Sequence, residues 1–194
     1  TSDNGPIVDD GYDDGAMESL GGHDPSGPLR GTKYSSYEGG TRVPFVVRWP
    51  GRIKPGATSD ALLCQIDLPA TLAALAGVEV PKDAAPDSEN LLPALLGDSK
   101  QGRETLVEQG QGLALRKGTW KYIPPAPGRK PDGVKARPFD GAGPEAELYD
   151  LAADLGETTN LAAGRPEVVK ELDALLKTIQ AGEPASDEAR ESRE

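Results

Sequence analysis

Two oxygen-bearing side chains stand almost at the start of the chain, Asp3 and Asn4 in "TSDNGP". A carboxylate beside an amide oxygen suits a hard cation. Some thirty residues later "GPLRGTKYSSYEGG" presents Lys33, a mobile ammonium in a glycine-rich stretch, and between the two lies His23 in "GGHDPSG". Oxygen donors followed by a cation could hold a metal ion beside an anionic ligand. Each residue alone has an ordinary explanation: Asn4-Gly5 is a turn signal, a Lys next to a Tyr is commonly solvated, and a single His in a loop is a surface residue.

The charge distribution fits the chemical reading, and it fits two solvated stretches of opposite sign equally well. From Thr1 to Pro28 there are seven acids and no Lys or Arg; from Leu29 to Thr58 there are six bases (Arg30, Lys33, Arg42, Arg48, Arg52, Lys54) against Glu38 alone. An acidic loop thus feeds a basic segment. Over the whole chain 21 Lys and Arg face 32 Asp and Glu, a net −11, which argues against a nucleic-acid or anionic-membrane surface as the partner. One cysteine, Cys64, excludes an internal disulfide. No apolar run approaches the roughly 20 residues of a membrane span.

Other signals fail on spacing. "DDGYDDG" lacks the oxygen pattern and closing Glu of a calcium loop, "GQG" at 110–112 lacks the third glycine of a dinucleotide loop, and His23 with Cys64 cannot build a zinc site.

The elements that must position these residues read as follows. Residues 5–32 form one long loop broken by Pro6, Pro25 and Pro28. Val43–Trp49, closed by Pro50-Gly51, has the β-branched composition of a buried strand in an α/β sheet. Asp67 is placed to cap a helix carrying Leu68, Leu72 and Leu75 and stopped at Gly77; "SENLLPALLGD" adds a short helix stopped at Gly97. "ETLVEQ", "GLALRKGTWKYI" and "AELYDL" are strand candidates. "RPEVVKELDALLKTIQAG" is the clearest helix, with Pro166 in its first turn and Val168, Leu172, Leu175, Leu176 and Ile179 on one face. The expected organisation is α/β material over 1–100, a small antiparallel sheet with one packed helix over 101–182, and a disordered tail over 183–194.

Taken together and in order, "SDNG", "GPLRGTKYSSYEGGTRVPFVVRWPGRIKPG", "QIDLPATLAALAG", "ALRKGTWKYI" and "ELYDLAADLGETTNLA" resemble the sulfatase family, arylsulfatase type, within the alkaline phosphatase superfamily. The resemblance runs from Thr1 to about Gln180 and corresponds to the C-terminal portion of such enzymes. It implies the last part of an alkaline-phosphatase-like α/β sandwich followed by a small antiparallel sheet with a packed helix.

By that resemblance Asp3 and Asn4 are ligands to one calcium ion, shared with acidic residues from the N-terminal part of the family fold. Asn rather than His at position 4 favours sulfate over phosphate esters. Lys33 corresponds to the lysine that contacts the sulfate group, so it is the expected catalytic and substrate-binding residue, and His23 is expected as either a second substrate contact or a residue that structures the loop. Arg30, Glu38 and Arg42 are given structural roles, with Glu38 and Arg42 paired to fix the loop that carries Lys33. The family's nucleophile is a formylglycine made from Cys or Ser in Cys/Ser-x-Pro-x-Arg, expected in the N-terminal part. Cys64 is not that residue, because Ile66 stands where Pro should be and Leu68 where Arg should be, and no serine of this chain is expected to meet the pattern either. The chain is therefore expected to be a fragment with half a site, binding calcium weakly and inactive by itself.

The expected function of the intact protein is hydrolysis of a sulfuric ester, aryl or carbohydrate, by an exported enzyme. Two alternatives stand beside it: a phosphate-ester or phosphonate hydrolase of the same superfamily, and a non-catalytic interaction domain derived from a sulfatase.

Overall fold

A computed structural model describes residues 1–7, 12–81, 83–126 and 143–182. In chain order its elements are α1 (Ala16–Ser19), α2 (Glu38–Thr41), a 3₁₀ turn (Gln65–Asp67), α3 (Leu68–Ala76), α4 (Leu92–Leu96), β1 (Thr105–Gln109), β2 (Leu113–Lys117), β3 (Trp120–Ile123), β4 (Glu147–Asp150), a second 3₁₀ turn (Ala162–Gly164) and α5 (Pro166–Gln180). The chain divides into two compact units, one of Thr1–Phe45 with Val107–Glu194, the other of Val46–Leu106.

The first unit is built on a four-stranded sheet in the order β1-β2-β3-β4. The single expected strand "GLALRKGTWKYI" is a hairpin: Gly118, at φ +58°, leads the turn, and Lys117 pairs with Trp120, Arg116 with Lys121 and Leu115 with Tyr122. β3 and β4 are antiparallel, with Lys121 opposite Tyr149 and Tyr122 opposite Leu148. Alternation along the strands gives the sheet two faces. One carries Leu115, Tyr122 and Leu148 and is covered by α5 through Leu172 and Leu176, with Val168, Leu175 and Ile179 against the same cluster. The apolar helix face read from the sequence is thus the packed one. Tyr122 Oη donates to Asp173 on that helix at 3.0 Å.

The opposite face carries Ala114, Arg116, Lys121, Ile123 and Tyr149. Tyr37, Ala114, Ile123, Tyr149 and Leu151 form its apolar cluster. It is this face that meets residues 30–41, the segment that holds Lys33.

In the second unit Asp67 does not cap α3 with its side chain. Its carboxylate instead accepts from the Cys64 and Glu89 N–H groups, each at 3.0 Å, and pairs with Arg103. Thr71 Oγ1 accepts from the Leu91 N–H and so ties α3 to the start of α4. Gly77 and Gly97 end the two helices in the left-handed conformation, as their types require. Cys64 is a half-buried free thiol.

Val43–Trp49 departs from expectation. It forms no strand, and Val46 is 85% exposed. A fully buried strand needs hydrogen-bonding neighbours on both edges, and among the described residues no strand pairs with this run. The tail 183–194, most of the loop between β3 and β4, and Asp9 and Asp10 of the acidic loop lie outside the described residues.

Candidate functional site

The site grows from a close backbone approach. The Gly5 N–H donates to the Gly40 carbonyl at 2.9 Å, and the Lys33 N–H donates to the Pro6 carbonyl at 2.8 Å. A Cβ at position 5 would stand 1.8 Å from the Gly39 oxygen, so the approach exists only because residue 5 is glycine. The Asp3-Asn4 pair and the Lys33 loop, thirty residues apart in sequence, are in this way joined by backbone hydrogen bonds.

The loop is held from below. The Gly39 N–H donates to the Arg30 carbonyl at 2.7 Å, and the Arg30 guanidinium lies 3.9 Å from the centroid of the Tyr37 ring. Arg30 also donates to Tyr149 Oη at 3.0 Å and to the Glu157 carbonyl at 2.7 Å. Tyr37 and Tyr149 both donate to Glu147, and burial together with that carboxylate pushes both phenols well above the usual tyrosine range. Arg30 is therefore a tether between the loop and the sheet.

Glu38 does pair with Arg42, at 3.4 Å, but its main partner is one that sequence reading missed. Lys121 of β3 is fully buried and reaches Glu38 at 2.9 Å, Glu108 at 2.6 Å and Glu157 at 3.9 Å. The Glu38 N–H is held by Glu157 at 2.7 Å, and Arg116 approaches Glu38 at 3.7 Å. Burial alone would raise the Glu38 carboxyl, yet Lys121 and Arg116 hold it below its ordinary value. Burial likewise works against the Lys121 charge, and the Glu108 and Glu38 carboxylates outweigh it, so that ammonium is held above its ordinary value. For Glu157 desolvation wins and pushes the carboxyl up to about 7. One signal for Lys121 was visible: it sits on the same strand face as Ile123 in "TWKYI", where a lysine must find buried partners or break the sheet packing.

Above this base lies a cleft of about 310 Å³ whose lining includes Asp24, Arg30, Lys33, Tyr34 and Gln111. Lys33 is half-buried, with its Nζ 5.3 Å from the Tyr34 ring centroid. His23 is exposed, its N–H donating to the Leu20 carbonyl at 2.8 Å; it borders the lining residue Asp24 without belonging to the lining.

Asp3 is exposed and Asn4 half-buried. The Asn4 amide nitrogen donates to the Gly5 carbonyl at 2.8 Å, which leaves the oxygen as the end able to meet a cation. The donor chemistry fits a hard ion. Among the described residues no group of three or more His, Cys, Asp or Glu forms a metal cluster, so these two oxygens supply part of a shell only.

One serine meets the letters of the nucleophile pattern: Ser26, Pro28 and Arg30 read Ser-x-Pro-x-Arg. The expectation that the pattern is missing therefore fails on spelling alone. The geometry gives these residues other work. The Ser26 N–H is held by the Asp24 carboxylate at 3.0 Å, its hydroxyl donates to the Gly31 carbonyl at 2.8 Å, and Arg30 is committed to Tyr37, Tyr149 and Glu157. Ser26 also follows the Asp-Asn pair, whereas the family's pattern precedes it.

The chain is similar to several known proteins. The Sulfatase family model matches residues 1–78. An N-acetylgalactosamine-6-O-sulfatase of Bacteroides thetaiotaomicron is 48% identical over 182 residues, 93% of this chain and 35% of that protein. Human arylsulfatase A is 36% identical over 193 residues, 93% of this chain and 36% of that protein. A solved structure from work on glycosaminoglycan metabolism by Bacteroides thetaiotaomicron superposes with a TM-score of 0.83 at 47% identity, covering 93% of this chain and 38% of that one. The chain spans about a third of the length of the curated relatives it matches.

Proposed function

We propose, from the match of the Sulfatase model to residues 1–78 and the similarity to sulfatases at up to 48% identity, that the chain belongs to the sulfatase family and that the intact protein is a sulfuric ester hydrolase acting on a sulfated carbohydrate. The observation that carries the proposal is the backbone junction of Gly5 with Gly40 and of Pro6 with Lys33, which puts two hard oxygen donors and a half-buried ammonium on neighbouring segments. The sugar-sulfate preference rests on the similarity to the N-acetylgalactosamine-6-O-sulfatase and on the polar side chains of the cleft.

In this reading Lys33 is the catalytic and substrate-binding cation. Its ammonium draws the sulfate group into the cleft and balances negative charge as the ester bond lengthens and the alcohol departs. Asp3 and Asn4 contribute carboxylate and amide oxygens to a calcium ion whose other ligands come from outside this chain. When bound, that ion lowers the cost of negative charge at the reacting centre. His23, next to the cleft, contacts the sugar rather than the sulfate. The formylglycine nucleophile is supplied by another residue than Cys64 or Ser26, and the enzyme is exported. Among the described residues no helix is long and apolar enough to cross a membrane.

The test is release of sulfate from a hexosamine 6-sulfate by the full-length protein, compared with its Lys33→Met variant. Loss of one charge-stabilising donor is expected to lower kcat/KM by roughly 10²–10³-fold. Equal rates in the two proteins would remove Lys33 from the mechanism. A peptide mass covering Ser26 is expected to show the unaltered residue; loss of two hydrogens there would make Ser26 the nucleophile and overturn its assignment to the loop.

A further inference from the structure

Tyr34 is the residue that the proposed role of Lys33 leaves unexplained. It takes φ +79°, one of only two non-glycine residues at positive φ among those described. Glycine would adopt this conformation without steric cost, and a tyrosine does not. The conformation is imposed from all sides. The Lys33 N–H is fixed to Pro6, the Ser35 N–H to the Thr32 carbonyl at 3.0 Å, and the Tyr34 carbonyl accepts from the Gln111 N–H at 2.6 Å. Gly110 packs on Ser35 so closely that a Cβ there would stand 2.5 Å from the Ser35 carbonyl carbon. The turn between β1 and β2 thus clamps the backbone on the far side of Tyr34.

That clamping does not bury the ring. Tyr34 remains 47% exposed, while the neighbouring Ser35, Ser36 and Tyr37 are buried. A strained backbone that presents an aromatic ring to the same cleft as the Lys33 ammonium is better explained by a ligand than by packing. The other groups beside it, Asp24 and Gln111, can accept from and donate to hydroxyls.

Resting on the sugar-sulfate reading above, we propose that Tyr34 is a specificity-determining residue: its ring is the platform on which the apolar face of the sulfated sugar lies while Lys33 holds the sulfate. The ring is flat, amphipathic and costs little side-chain freedom to order, and the C–H face of a pyranose offers it a complementary surface. Sulfate recognition and sugar recognition are then divided between adjacent residues, Lys33 for charge and Tyr34 for the ring. A substrate with the sulfate but no sugar gains nothing from Tyr34.

The experiment is calorimetric binding of two probes to the full-length protein: inorganic sulfate, and a non-hydrolysable hexosamine 6-sulfonate. The variants are Tyr34→Gly, which relieves the backbone and so folds, Tyr34→Phe, which keeps the ring, and Lys33→Met. Tyr34→Gly is expected to weaken the sulfonate about tenfold with sulfate binding unchanged, Tyr34→Phe to stay within about twofold of wild type on both probes, and Lys33→Met to weaken both. Unchanged sulfonate binding by Tyr34→Gly, or equal weakening of both probes, overturns the proposal. The expected binding pattern in a protein that releases no sulfate would leave the platform standing and remove the hydrolase reading; sulfate release with no effect of Tyr34 on the sulfonate would do the reverse.

Discussion

Replacing Lys121 with Met keeps the hydrocarbon stem and deletes one buried charge from beneath the Lys33 loop. Lys121 is fully buried with Glu38 at 2.9 Å and Glu108 at 2.6 Å. Removing one partner of a buried ion pair typically costs about 3–5 kcal/mol, because the remaining charge has lost both water and its counter-ion. Glu38 keeps Arg42 at 3.4 Å and Arg116 at 3.7 Å, which relieves part of the cost and places the expectation near 3 kcal/mol. For a small domain with a urea slope of roughly 2 kcal/mol per M, the midpoint should fall by about 1.5 M with the slope unchanged. The Lys177→Ala variant, which breaks an exposed pair with Asp173, should cost no more than about 0.5 kcal/mol. Adding Glu38→Gln to Lys121→Met removes one of the stranded carboxylates, so the double variant should lose at least about 1 kcal/mol less than the sum of the singles. A loss below about 1 kcal/mol for Lys121→Met, or strict additivity in the double variant, would refute the cluster as the base of the loop.

Three further expectations follow from the same contacts. Folded Glu157 holds its proton to about pH 7, against 4.5 for the ordinary carboxyl, so between those values the folded state binds more protons than the unfolded one and stability falls as pH rises. Unfolding measured across pH 4.5–7 should show that falling contribution, at most about 3 kcal/mol, and Glu157→Gln should flatten it; an unchanged slope in the variant would assign the effect to another group. Gly5→Ala would force a methyl group to within 1.8 Å of the Gly39 oxygen, so the amides of Gly5 and Lys33 should lose their protection in hydrogen exchange; retained protection would show that the loop can yield. Arg30→Lys cannot stack on Tyr37 and serve Tyr149 and Glu157 together, and should cost about 1–2 kcal/mol in chemical denaturation although the charge is kept; a loss within error would reduce Arg30 to a point charge.

What the sequence displayed depended on how local the determinants were. α5 was legible because Pro166, Gly182 and a 3.6-residue apolar period are all short-range signals, and its apolar face is the one packed. The four-stranded sheet was legible except for its hairpin, where Gly118 breaks one apparent strand into two. Val43–Trp49 misled because its composition reports burial, and burial depends on partners that composition does not name. Of the site, Asp3, Asn4 and Lys33 were visible as residue types, but their joining through Gly5 and Pro6 was not. Glu157 stayed hidden because a glutamate in a turn is an ordinary surface choice, and Lys121 showed only its place on the strand face of Ile123; only the fold brings them to Glu38, across 119 and 83 positions. Ser26 shows the opposite hazard, a pattern matched in letters whose side chains are committed to closing the loop.

The most direct test of sulfate-ester hydrolysis is a paired measurement on the full-length protein, comparing release of sulfate from a hexosamine 6-sulfate with release of phosphate from the corresponding 6-phosphate. Hard oxygen donors at Asp3 and Asn4 in place of an imidazole predict sulfate release as the faster reaction. Faster release of phosphate would move the protein to the phosphate-ester branch of the superfamily, and release of neither would make this chain part of a binding protein.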